Sequence, residues 1–138
     1  TFRGQLSANE TRAAMKQAAF LVLPSLWFEG FPMVLAESLA CGTPVLGSRL
    51  GAMQEIITDG RTGLHFTTGD SADLTQKVEW AWNHPSQLAE MGREARRDYE
   101  SLYTPEMNYS LLMAIYQQVV TVQSETGSQL KPIHVAQF

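Results

Sequence analysis

Cysteine is all but missing from this chain of 138 residues: Cys41 stands alone, so no internal disulfide can form, and a reducing compartment suits it. Long apolar runs are missing as well, and without a stretch of about 18 apolar residues no membrane-spanning helix is expected. Metal-ligand spacing is also lacking. His65, His84 and His134 lie far apart, and Asp70 and Asp73 have two residues between them rather than the single one of a short acidic cation motif, so neither a bound metal nor a cofactor is expected. Positive charge is the minority sign, with 10 Lys and Arg against 14 Asp and Glu and a net charge of -4, which argues against nucleic acid as a partner. Arg93, Arg96 and Arg97 form the one basic cluster, and Glu90, Glu94 and Asp98 interleave with it at helical spacing, the pattern of a solvated face. There are no internal repeats, low-complexity blocks or signal peptide, so a cytoplasmic location is the default, with a membrane-peripheral one open to a full-length enzyme.

What is present suits one domain of ordinary size, with 44% hydrophobic residues. Thr1 to Gly4 reads as the end of a strand, and Ser7 with Glu10 makes a capping box for a helix to about Ala19. Short strands are expected at Phe20 to Leu23, Val45 to Ser48 and Gly63 to Phe66, with a helix near Met53 to Thr58 and a turn at Asp59-Gly60. Asp70 or Ser71 caps a helix running to about Asn83, where Leu74, Val78, Ala81 and Trp82 share a side and both Trp80 and Trp82 read as core. Pro85 opens another helix with Leu88, Met91 and Ala95 in phase, and Pro105 opens a last one with a stripe of Leu111, Leu112, Ile115 and Val119. The polar segment 123–138 lacks periodicity and reads as a tail, leaving 1–122 as the domain.

The most informative stretch is Pro24 to Val45. A helix opening at Pro32 and stopping at Gly42, in the left-handed cap position, carries Glu37 as its single charge. Its neighbours one turn away are Met33, Val34, Ala40 and Cys41, so Glu37 is expected on a buried face and in need of a partner. One reading is functional. The free N–H groups of Phe31, Met33 and Val34 and the positive end of the helix dipole favour a phosphate; Glu29 can accept from sugar hydroxyls and Glu37 from a ribose, and together these describe a nucleotide sugar. The other reading is structural: Glu29 complements the dipole, and Glu37 forms a buried ion pair with Arg49 or Arg61.

The run from Pro24 to Leu64 resembles the C-terminal domain of family 4 (group 1) retaining glycosyltransferases of the GT-B fold. The likeness lies in two glutamates, Glu29 and Glu37, with seven residues between them; in Ala40-Cys41-Gly42-Thr43-Pro44-Val45; in Gly51 followed by Glu55; and in Thr62-Gly63-Leu64. It extends over about Phe2 to Tyr103. The resemblance implies an α/β fold, a partial Rossmann-like doubly wound parallel sheet. It implies that Gly30, Phe31, Pro32, Met33 and Val34 hold the donor sugar and diphosphate, that Glu29 is the catalytic-centre carboxylate contacting sugar hydroxyls, and that Glu37 contacts the ribose. In such enzymes the leaving diphosphate takes the proton of the incoming hydroxyl on the same face, so Glu29 positions the sugar; an older proposal makes it a nucleophile.

The family's Arg and Lys that neutralise the diphosphate fall before Thr1, and an N-terminal domain supplies the acceptor site. The chain is therefore expected to be a donor-binding fragment, weak in donor binding and inactive without its missing partner domain. A bared sheet edge or the last helix is then expected to drive self-association. The competing class is a non-catalytic α/β binding or assembly module working through the Leu111 stripe and the tail; a phosphorylase or epimerase on the same architecture fits the Glu29 and Glu37 pair less well.

Overall fold

In the computed structural model the described residues are 1–126, of which 122–126 are described in backbone only. A capping box opens α1 (Ala8–Gln17): the Ser7 hydroxyl accepts the Glu10 N–H, and Glu10 accepts the Ser7 N–H at 2.9 Å. Three strands follow, β1 (Leu21–Leu23), β2 (Val45–Ser48) and β3 (Gly63–Phe66), all parallel and in the order β1-β2-β3. Leu21 pairs with Val45 and Val45 with Gly63, so the three carboxyl ends lie along one edge. Between the strands run α2 (Met33–Cys41) and α3 (Gly51–Ile56); after β3 come α4 (Ser71–Asn83), α5 (Pro85–Asp98) and a π-helical turn, Tyr99–Tyr103.

Apolar residues of β2 leave on both faces, as a strand covered on two sides must arrange them. On one face Val45 packs with Leu35 and Leu39 of α2, Met53 and Ile56 of α3, and Ala95 of α5. On the other, Leu46 and Leu64 pack with Ala81 of α4 and with Leu88 and Met91 of α5. Each of the fully buried leucines contributes about 1.5–3 kcal/mol.

A compact unit comprises Thr1–Tyr103, and a second unit begins at Thr104. The second unit's α6 (Pro105–Thr126) starts with Thr104 Oγ1 accepting the Met107 N–H at 3.2 Å. None of the helices among the described residues is long and apolar enough to cross a membrane.

Several expectations need correction. Thr1 to Gly4 forms no strand: no neighbouring strand among the described residues pairs with it, and Gly4 at φ 68° breaks the extended run. Helix α3 starts two residues earlier than expected and ends at Ile56. Trp82 is 75% exposed, because the buried line of α4 narrows to Ala81; Trp80 is partly buried and stacks on His84 at 4.4 Å. Residues 123–126 continue α6 rather than forming a loose tail, and the rest of that expected tail, 127–138, lies outside the described residues.

Candidate functional site

At the carboxyl edge of the sheet the chain leaves β1 through Pro24 and turns back at Glu29. The Ser25 hydroxyl donates to Glu29 Oε1 at 2.7 Å, closing this turn and fixing a half-buried carboxylate. The turn also leans on α3: a Cβ on Gly51 would stand 3.0 Å from Phe28 Cδ1 and 3.7 Å from the Glu29 carbonyl oxygen. Ser48, at the end of β2, donates to the Leu23 carbonyl at 3.4 Å and ties the ends of two strands together.

Gly30, Phe31 and Pro32 then lead into α2. Pro32 occupies the cap position rather than the first helical one, with ψ 109°, and no side chain caps the helix. The Leu35 N–H donates to the Pro32 carbonyl at 2.9 Å, whereas the N–H groups of Phe31, Met33 and Val34 have no acceptor among the described residues. Open donors at the positive end of a helix form an anion-accepting surface. Its surroundings are apolar and open: Trp27, Phe28 and Met33 are 67%, 79% and 65% exposed.

Glu37 corrects the sequence reading. It is exposed, and it makes no hydrogen bond or ion pair among the described residues. The buried face of α2 consists of Leu35, Ala36, Ser38 and Leu39, and Met33 and Glu37, four residues apart, share the outward face next to the open donors. The ion pair of the structural reading does not form among the described residues. Arg49 faces Asp59 at 3.6 Å, and Arg61 binds Asp98 at 2.5 Å and Glu94 at 3.4 Å, with the Asp98 hydrogen bonds the main cause of its raised pKa. Arg93 and Arg97 pair with Glu90 and Glu94, so the basic cluster is a solvated face.

Glu29 to Val34 thus run consecutively from the turn after β1 into α2, with Pro32 buried and the others half-buried or exposed, and Glu37 lies one turn along the same helix. A cavity of about 160 Å³ opens between Pro24, Leu26, Phe66 and the Gly69–Ser71 turn, and none of Glu29 to Val34 or Glu37 lines it. The donor-bearing surface itself is open, with Phe31 46% and Met33 65% exposed and Glu37 exposed beside them. Among the described residues no group of three His, Cys, Asp or Glu could hold a metal; His65 is buried with Nε2 donating to the Ile57 carbonyl at 2.9 Å. Sequence reasoning missed three supporting residues: Ser25, whose spacing of four from Glu29 was the available signal, Gly51, and Tyr103, whose ring lies 6.0 Å from that of Phe31.

Comparison with known proteins gives consistent findings. The model for glycosyl transferases group 1 matches residues 1–98. The D-inositol 3-phosphate glycosyltransferase of Arthrobacter sp. strain FB24 is 36% identical over 95 residues, covering 69% of this chain and 22% of that protein. The phosphatidyl-myo-inositol mannosyltransferase of Mycobacterium leprae is 32% identical over 127 residues, covering 90% of this chain and 33% of that protein. Among solved structures, sucrose-phosphate synthase from Thermosynechococcus elongatus superposes with a TM-score of 0.81 at 27% identity, over 88% of this chain and 30% of the other. Anabaena HepE, solved with UDP and glucose, gives 0.70 at 21% identity over 91% and 32%, a likeness of fold. The chain spans between about a fifth and a third of the length of these proteins.

Proposed function

The chain belongs to the group 1 glycosyltransferases, and from that premise we propose that the turn from Ser25 to Pro32 and the start of α2 form the donor side of an enzyme that moves a sugar from a nucleoside diphosphate sugar to an acceptor hydroxyl with retention. The observation that carries this reading is the uncapped start of α2, with the N–H groups of Phe31, Met33 and Val34 open and a carboxylate on either side. The diphosphate takes those N–H groups, which meet its charge with no reorganisation as the bond to the sugar breaks. Glu29, pinned by Ser25, accepts from sugar hydroxyls and holds the anomeric carbon in place; Glu37, exposed and unpartnered among the described residues, accepts from the ribose. No protein nucleophile is needed, because the leaving phosphate can take the acceptor's proton on the same face. No cofactor or metal enters.

The 138-residue chain alone binds donor weakly and does not turn over: Arg49, at this edge, is engaged with Asp59, and the exposed donor surface needs a second wall that carries the acceptor. The HepE complex supplies UDP as a probe and no more than that. In calorimetric titration with UDP, GDP and ADP, Glu37→Ala is expected to weaken the best nucleotide by about 1–3 kcal/mol, the worth of a charge-assisted hydrogen bond pair. Unchanged affinity removes Glu37 from the site, and heat from none of the three, even with the rest of a complete enzyme supplied, removes the donor reading.

A further inference from the structure

We propose that Tyr103 is a positioning residue for the open end of α2, acting through the ring of Phe31. The two rings lie 6.0 Å apart between centroids with planes tilted by 47°, within the range of a favourable aromatic pair. Tyr103 arrives there by an unusual backbone. The π turn Tyr99–Tyr103 closes i to i+5, and this wider winding keeps Ala95, Tyr99 and Tyr103 together against the α2 side of the core, where continued α-helical winding would carry Tyr103 round the axis.

The same strap holds the other end of α2. Gly92 of α5 lies so close to Gly42 that a Cβ on it would sit 2.3 Å from the Gly42 carbonyl oxygen, and Arg96 donates to the Ala40 carbonyl while its guanidinium covers the Tyr99 ring at 5.6 Å. The C-terminal end of α2 is therefore fixed by backbone contact and by a cation on its last carbonyls. Its N-terminal end has no capping side chain, and the ring of Tyr103 substitutes for one by holding Phe31, the residue that delivers the chain into Pro32. The hydroxyl of Tyr103 makes no hydrogen bond among the described residues, so the ring alone does this.

The functional consequence rests on the donor-site reading; the positional role does not. Hydrogen exchange of the full chain reads the latter directly. Tyr103→Ala is expected to speed exchange at Leu35, whose N–H is held by the Pro32 carbonyl, and at the hydrogen-bonded amides of α2 that follow it, by about three- to tenfold, the worth of one aromatic pair, while Val45–Ser48 and Gly63–Phe66 hold their rates. Tyr103→Phe should restore wild-type exchange, and Tyr103→Leu, which keeps bulk without the ring, serves if the alanine variant does not fold. In parallel, Tyr103→Ala should raise the Kd for UDP by a similar factor and Tyr103→Phe should not. Unchanged exchange at Leu35 and the amides of α2 that follow it, or a rise spread equally over the strands, overturns the proposal. A wild type that gives no heat with UDP, GDP or ADP even with the rest of a complete enzyme supplied overturns the donor reading, and the exchange rates then decide the role of Tyr103 on their own.

Discussion

Replacing Gly92 with alanine sets helix propensity against packing, and the two predict opposite signs. Gly92 lies inside α5, where alanine is the better helix former by about 1 kcal/mol, so propensity alone predicts a more stable protein. Packing predicts the reverse. The new Cβ would stand 2.3 Å from the Gly42 carbonyl oxygen and 3.5 Å from Pro44 Cδ, atoms of backbone and ring that cannot swing aside. Gly42 cannot yield by changing its backbone, because at φ 70° it already terminates α2 in the left-handed region that glycine alone adopts at low cost. One helix must retreat by about 1 Å, an overpacking cost of about 1–3 kcal/mol, and the Arg96 bond to Ala40 loosens at about 1 kcal/mol more. Less the propensity gain, the net loss is about 1–3 kcal/mol, or a fall in Tm of about 5–20 °C for a unit of this size. Urea and thermal unfolding followed by circular dichroism measure it. Gly30→Ala is the control: nothing lies within 4 Å of the added Cβ, and stability should stay within about 0.5 kcal/mol of wild type. A raised Tm for Gly92→Ala would refute the close contact between α2 and α5.

Asp73 accepts the Thr67 N–H at 2.7 Å, and that backbone hydrogen bond lowers its pKa below the ordinary 3.8. A carboxyl lowered on folding stabilises fully above its unfolded value and loses that contribution as pH falls through the folded one, so the gap in urea midpoint between wild type and Asp73→Asn should close as pH drops below about 4. A gap that is constant with pH contradicts this. Strand β1 pairs with β2 on one side only among the described residues, so gel filtration at micromolar concentration should show concentration-dependent self-association; a clean monomer would mean that the edge is covered.

Features that rest on neighbours in sequence were legible without coordinates. Ser7 with Glu10, Asp70 and Pro85 each satisfy or remove helix-end donors locally, and β2 and β3 were bounded correctly by the turns around them. Features set by distant partners were not. Thr1 to Gly4 has strand-like residues but no strand to pair with among the described residues, and the π turn at Tyr99 packs against the α2 side of the core, for which no local residue gives a signal. Glu37 was misplaced because α2 is apolar on its outward face as well: Met33 is 65% exposed, so an apolar neighbourhood in sequence did not mean a covered one. The order of the candidate site, from Glu29 through Val34 to Glu37, was readable because it lies in one loop and one helix turn. Its supports, Gly51 and Tyr103, come from other elements and were not.

The central claim is that the open start of α2 takes the diphosphate of a sugar nucleotide. Titrating the nitrogen-15-labelled chain with UDP, GDP and ADP and following backbone amide shifts tests it most directly. The largest changes are predicted at Phe31, Met33 and Val34, whose N–H groups have no other acceptor among the described residues, and they should weaken in Glu37→Ala. Shifts concentrated around the Gly69–Ser71 cavity or along the arginines of α5, with residues 31–34 unmoved, would contradict it.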